Sequence, residues 1–200
     1  MRDLSSSSSD ARLIRASVSN PQSFAALFDR HARIIWRYAC RRVGPIAADE
    51  VVGETFFRAF ADRGIYDVGQ RDARPWLFGI ATNVLREHIR QQARQHRDVQ
   101  IPRESDLVDD EFDRVEARAD ATAQVPATAA ALARLEPVDR ETLMLYALTD
   151  LDYRGIATAM DVPVGTVRSR LNRARRLMRA QLGLTEADAS SKLTNERGQR

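Results

Sequence analysis

The chain is 200 residues long, 44% apolar and 30% charged, with a formal net charge of +3 and a pI near 9.5. That is enough apolar material for a core in one or two small domains, while a single cysteine, Cys40, excludes an internal disulfide and no Cys/His cluster has metal-ligand spacing, so no metal or other cofactor is expected. No segment approaches 18 consecutive apolar residues and the serine-rich start lacks an apolar export core, so a cytoplasmic protein without membrane association is expected.

From the N-terminus, residues 1–19 include five consecutive serines, offer little to bury and are expected to form a disordered tail. Asn20-Pro21 reads as a helix start, with Asn20 as cap and proline in the first turn. Phe24, Leu27, Phe28, Ile35 and Tyr38 then recur at helical spacing up to Gly44-Pro45. A second helix is predicted from about Ala47, presenting Val51, Val52, Thr55, Phe56, Ala59 and Phe60 before Gly64 stops it. A polar loop follows from Arg63 to Asp72. Arg74-Pro75-Trp76 starts a third helix, whose inner stripe is Trp76, Leu77, Ile80, Ala81, Val84, Leu85, His88 and Ile89. Its far end is cationic through Arg86, Arg90, Arg94 and Arg97. Three such helices close one bundle over residues 20–97.

Between 98 and 126 the apolar periodicity is lost. From Asp98 to Asp120 nine acidic residues stand against three arginines, a net of −6, so 98–126 is expected to be a flexible acidic linker between two basic lobes. An Ala-rich stretch over 127–135 opens the second bundle and Glu136-Pro137 breaks it. Val138, Thr142, Leu145, Tyr146 and Leu148 line the next helix. Tyr153, Ile156, Ala157 and Met160 form a short stripe, Asp161-Val162-Pro163 a tight break, and a last helix runs on to Leu182. From Pro163 to Leu182 there are six arginines and no acid. At 3.6 residues per turn Val167, Leu171, Ala174 and Met178 share one line, while Ser169, Asn172, Arg173 and Arg176 point roughly 120 to 180° away. One face is apolar and the other cationic. With the break before it, this makes a helix-turn-helix whose second helix enters the DNA major groove; a solvated face on a small bundle is the competing reading. Residues 184–200 are polar and expected to be a flexible tail. The predicted fold class is all-α, two small helical bundles joined by a flexible acidic linker, the C-terminal one (127–183) containing the helix-turn-helix.

The runs Leu151-Asp152-Tyr153-Arg154-Gly155-Ile156-Ala157 and Val162-Pro163-Val164-Gly165-Thr166-Val167-Arg168-Ser169-Arg170-Leu171 closely resemble the promoter-reading helix-turn-helix of the extracytoplasmic-function (ECF) sigma factors, the small two-domain initiation factors of bacterial RNA polymerase. Asp49 to Phe60 is similar to that family's helix gripping the polymerase clamp, and Arg74 to Asn83 to its promoter-opening helix. The motifs stand in the family's order and spacing, over about residues 21–97 and 127–183. Gly53 departs from a frequent glutamine, Phe60 from a frequent tryptophan, and Gly155 from a usual acidic residue.

The resemblance implies an alternative sigma factor and not an enzyme. Its partners would be core RNA polymerase, through the beta-prime clamp and the beta flap, and promoter DNA, with an anti-sigma protein a further partner the resemblance allows. It would work in the cytoplasm, at the nucleoid. Residues 20–97 would be sigma region 2, which recognises and melts the minus-ten element, and 127–183 sigma region 4, which reads the minus-thirty-five element. The resemblance assigns Tyr153, Arg154, Thr166, Arg168, Ser169, Asn172, Arg173 and Arg176 to the minus-thirty-five element. It assigns Tyr66, Trp76, Asn83, Arg86 and Arg90 to the minus-ten element, and Asp49, Glu50, Val52, Glu54, Thr55 and Arg58 to core polymerase.

The residues alone leave two rivals open: a stand-alone helix-turn-helix regulator whose N-terminal bundle senses a ligand or dimerises, and a helical adaptor that binds only protein. Glu50 and Glu54, four apart, have neither metal partners nor a paired base, so an exposed acidic face is expected and not a catalytic pair. Trp76 lies on the apolar stripe, where core packing competes with base contact, whereas Asn83 lies off it.

Overall fold

The structure, a computed structural model, describes residues 9–98 and 127–183. Residues 1–8, the expected linker from 99 onward and the expected tail over 184–200 lie outside the described residues. Among those described, all regular structure is helical. An N-terminal lobe contains α1 (Asp10–Ser19), α2 (Ala25–Val43), α3 (Pro45–Ala61) and α4 (Arg74–Asp98), with single 3-10 turns at Pro21–Phe24 and Asp62–Ile65. A C-terminal lobe contains α5 (residues 127–133), α6 (Pro137–Leu148), α7 (Tyr153–Met160) and α8 (Val164–Leu182).

The N-terminal tail expected over 1–19 is overturned for its second half, because residues 10–19 form α1. Serine content dominated that stretch, yet Ala11, Leu13, Ile14 and Ser17 recur on one side and are all buried. A buried charge completes the anchor. Asp10 accepts hydrogen bonds from Arg30 and from His31 Nε2 (2.8 Å) on α2, and from the Ala73 backbone N–H (2.9 Å) just before α4. Burial alone would push the Asp10 carboxyl up, but these donors outweigh it and hold the pKa down at about 2.

The turns follow from local chemistry. Gly44, between α2 and α3, has φ 81°, a region open to glycine, and Pro45 then occupies the first turn of α3. Asn20 does not cap with its side chain; its carbonyl accepts from Ser23 N–H instead (3.0 Å). In the C-terminal lobe the Asp152 side chain caps α7 by accepting from Gly155 N–H (2.7 Å). Asp161 closes α7 in the left-handed conformation (φ 51°), and Val162 N–H returns to the Ala157 carbonyl (3.0 Å), leaving Pro163 to start α8. This two-helix turn fixes the angle at which α8 leaves the lobe.

Each lobe has a stripe-built core: Ile14, Leu27, Ile35, Tyr38, Val51, Phe56, Leu77 and Leu85 in the first, and Leu145, Ile156, Val167 and Leu171 in the second. The two cores are continuous. Phe78 and Ala81 of α4 belong to the same buried cluster as Ile156 and Ala157 of α7. The helices approach so closely there that a Cβ on Gly79 would stand 2.8 Å from the Ala159 carbonyl oxygen. Beside this crossing, Arg86 of α4 donates to Glu141 of α6 (Nε to Oε2, 2.7 Å).

Candidate nucleic-acid and protein-binding surfaces

The basic face of α8 is held outward by its opposite face. Val167, Leu171 and Ala174 are buried against α6 and α7, which leaves Arg168, Ser169, Asn172 and Arg176 exposed on the far side. Ser169 Oγ donates to the Thr166 carbonyl (2.9 Å). Thr166 is half-buried. Arg154 is exposed in the first turn of α7, while Tyr153 is half-buried with its ring 5.8 Å from that of Tyr146. Arg173 is exposed yet committed: Nε and Nη2 both donate to the fully buried carboxylate of Asp139, in the first turn of α6, with Nη2 to Oδ1 at 2.6 Å. This pairing keeps the Arg173 guanidinium charged well above its usual range. Arg175 likewise turns back, its guanidinium 4.6 Å from the Tyr146 ring centre. So the six arginines of the basic stretch are not equivalent, and sequence reasoning missed Asp139.

The minus-ten candidates divide more sharply. Tyr66 is buried, its single hydroxyl hydrogen directed at the Gln70 carbonyl (2.7 Å) with the Asp72 carbonyl also in reach (3.3 Å), and its ring is 4.8 Å from Trp76. Burial first, then the nearby carboxylates of Asp10, Asp72 and Asp67, pushes its pKa up to about 12. Tyr66 therefore braces the loop from inside and offers no free ring face, contrary to its expected place among base-contacting residues. A tyrosine amid polar neighbours reads as exposed, but a ring whose hydroxyl finds a loop carbonyl to donate to is favoured in the interior. Trp76 is half-buried against it. The loop exposes Asp67 and Arg71, and with them two apolar side chains, Ile65 and Val68, which the sequence did not single out. Asn83 is exposed, but its Oδ1 accepts from Arg86 Nη1 (3.1 Å), and Arg86 is the residue held by Glu141 of the other lobe. Arg90 is exposed one turn further on.

On α3 two of the six expected polymerase contacts fail. Val52 is 8% exposed and Thr55 0%, with Thr55 Oγ1 donating to the Val51 carbonyl (2.6 Å); both pack inward. An amphipathic helix puts residues three apart on one face, and 52 and 55 share the face of Val51, Phe56 and Ala59. The outward face is Ile46, Glu50, Gly53 and Phe57, with Ile46 86% and Phe57 69% exposed. Asp49 is exposed and accepts from Trp36 Nε1 (2.9 Å). Glu54 pairs with Arg58 (2.7 Å), and Arg58 also reaches Glu87 on α4 (2.6 Å), which holds Glu87 below the usual carboxylate range. These groups, with His88 and Gln91, line an open groove of about 340 Å³ between α3 and α4.

Among the described residues no group of three or more His, Cys, Asp or Glu side chains could hold a metal ion, and no helix is long and apolar enough to cross a membrane.

Comparison with known proteins agrees with this geometry at three levels. The family described as Sigma-70 region 2 matches residues 27–95, and Sigma-70, region 4 matches residues 127–178. The chain is 34% identical over 180 residues to the ECF RNA polymerase sigma factor SigL of Mycobacterium tuberculosis, covering 88% of this chain and 99% of that protein. It is 29% identical over 165 residues to SigC of the same species, covering 82% and 86%. Two solved structures share the fold. One is CnrH in complex with the cytosolic domain of CnrY, with TM-score 0.61 and 24% identity over 87% of this chain and 97% of that one. The other is the sigma factor RpoE with the anti-sigma factor NepR from Bartonella quintana, with TM-score 0.62 and 20% identity over 82% and 99%.

Proposed function

The chain belongs to the ECF RNA polymerase sigma factors, and from that premise we propose which of its residues meet promoter and polymerase. As an alternative sigma factor it is not an enzyme: it binds core RNA polymerase, directs it to specific promoters and helps melt the minus-ten element. The observation that carries the residue assignment is the two-faced α8, apolar inward and cationic outward behind a capped two-helix turn. Arg168, Ser169 and Asn172 meet base edges or adjacent backbone of the minus-thirty-five element, with Arg154 and Arg176 on phosphates. Asn83, Arg86, Arg90 and the exposed tip of the Arg63 to Asp72 loop meet the minus-ten element. The outward face of α3, with Ile46, Asp49, Glu50, Gly53, Glu54, Phe57 and Arg58, meets core polymerase at the beta-prime clamp, and the C-terminal lobe meets the beta flap. Residues 20–97 and 127–183 act as sigma regions 2 and 4. The protein works in the cytoplasm with the nucleoid. An anti-sigma protein is a further proposed partner, since CnrH and RpoE are each described with a bound protein, in the case of RpoE an anti-sigma factor.

The test separates recruitment from opening. Asn83→Ala should still bring core polymerase to its promoter in a gel shift but give weak permanganate reactivity at minus-ten thymines and little transcript. A pre-melted template should restore that transcript, because the unstacking cost of a few kcal/mol is then already met. Wild-type opening by this variant would remove Asn83 from the assignment.

A further inference from the structure

Arg173 differs from the other arginines of α8 in what holds it. Its partner, Asp139, is wholly shielded from solvent, while the arginine side chain is 47% exposed. A shielded carboxylate is costly unless fully paired, so this contact fixes the guanidinium with respect to α6 as a core contact would. The donor count then matters. A guanidinium carries five N–H groups in a planar fork. Asp139 takes the edge shared by Nε and Nη2, which leaves three hydrogens, two of which, one on Nη1 and the second on Nη2, form the end edge. That end edge is a two-donor fork matching the O6 and N7 acceptors of guanine in the major groove. It lies on the helix that exposes Arg168, Ser169, Asn172 and Arg176. The same contact restricts the arginine's rotamers before any base arrives, so less freedom is lost on binding.

We propose that Asp139 is a positioning residue for promoter reading: it holds Arg173 so that its end edge is presented to one guanine of the minus-thirty-five element, and so sets the base preference there. The inference rests on α8 being the recognition helix. Asp139 touches no DNA itself; it acts through Arg173.

The experiment uses the full chain with core polymerase on a promoter library in which each minus-thirty-five position is varied singly, with transcripts counted per template. The wild type should prefer guanine at one position by roughly 5- to 150-fold, the range of a bidentate contact, and Arg173→Ala should abolish that preference. Asp139→Asn, of nearly the same shape, should lower it several-fold at that position, leave the others unchanged, and add nothing in an Arg173→Ala background. Asp139→Glu keeps the charge but displaces the fork by one methylene; the extra methylene in a buried site should lower the melting temperature, so the variant is assayed below its own melting transition, where it should still blunt the preference, which covers the case in which Asp139→Asn does not fold. Loss by one common factor on all templates, as a phosphate contact or a purely structural pair would give, overturns the proposal, as does unchanged selectivity in the Asp139 variants. A wild-type holoenzyme indifferent to every minus-thirty-five position would instead overturn the assignment of α8, and the proposal with it.

Discussion

Asp10 gathers a guanidinium, an imidazole and a backbone amide from two other segments of its lobe, so it connects α1, α2 and the start of α4 through one carboxylate. Its folded pKa of about 2 lies below the ordinary aspartate value. The group therefore contributes stability at any pH above the unfolded value of about 4, and that contribution is lost as pH falls from about 4 towards 2. The full amount is on the order of 2 kcal/mol. Asp10→Asn should lower the melting temperature at neutral pH and flatten the acid limb of the stability curve between about pH 4 and 2. If the Asp10→Asn variant kept the wild-type acid limb, the titration would belong to another group. Neither this contact nor Arg173 to Asp139 was legible in the sequence. The partners lie 21 and 34 residues apart respectively, and no periodicity links residues on different helices. Asp139 in particular reads as an ordinary acid in a first helical turn, where the dipole alone would favour it.

At the scale of elements, the stripes of α2, α3, α4 and α8 were legible because each buries one face at a period of 3.6 residues, although Phe28 and Ile89, expected on the stripes of α2 and α4, are left exposed. The helix-turn-helix was legible as well, from the break at Asp161-Val162-Pro163 and the six arginines between Pro163 and Leu182. Val52 and Thr55 pack inward with the stripe their spacing gave them, against the polymerase contact the resemblance assigned them, while Phe57 in the same motif is left in water, which no spacing singled out. This yields a contrast within one helix. Phe57→Ala removes no core contact, so it should leave the melting temperature within about 0.5 kcal/mol equivalent of wild type and still weaken core polymerase binding. Val52→Ala should cost about 1 to 3 kcal/mol of stability through lost burial and cavity. A Phe57→Ala chain that bound core polymerase as wild type does would remove the outward face of α3 from the interface.

At the scale of the whole molecule, the two lobes share a core, although the sequence suggested two bundles on a tether. The signal was Gly79, whose lack of a side chain has no meaning until α7 is known to lie across it. On the proposed assignment of the two lobes to the two promoter elements, this packed form cannot read both at once. Elements named for positions ten and thirty-five lie roughly 25 base pairs apart, on the order of 85 Å at about 3.4 Å per step. A compact body of this size has a radius of gyration near ~15 Å. The 28 residues between the described lobes have a covalent reach of up to about 95 Å, so the span is met only when α4 and α7 part and Arg86 leaves Glu141. Gly79→Ala tests that step. Its Cβ would meet backbone at 2.8 Å, which cannot rotate away, while within α4 itself alanine favours the helix by about 1 kcal/mol. The variant should thus loosen the lobes without weakening either. Its radius of gyration by small-angle scattering should rise, a single thermal transition should divide into two, and core polymerase should bind it no less tightly than wild type. An unchanged radius with one transition would mean that the crossing of α4 and α7 yields to a side chain, and that the lobes are held together by something other than this close approach.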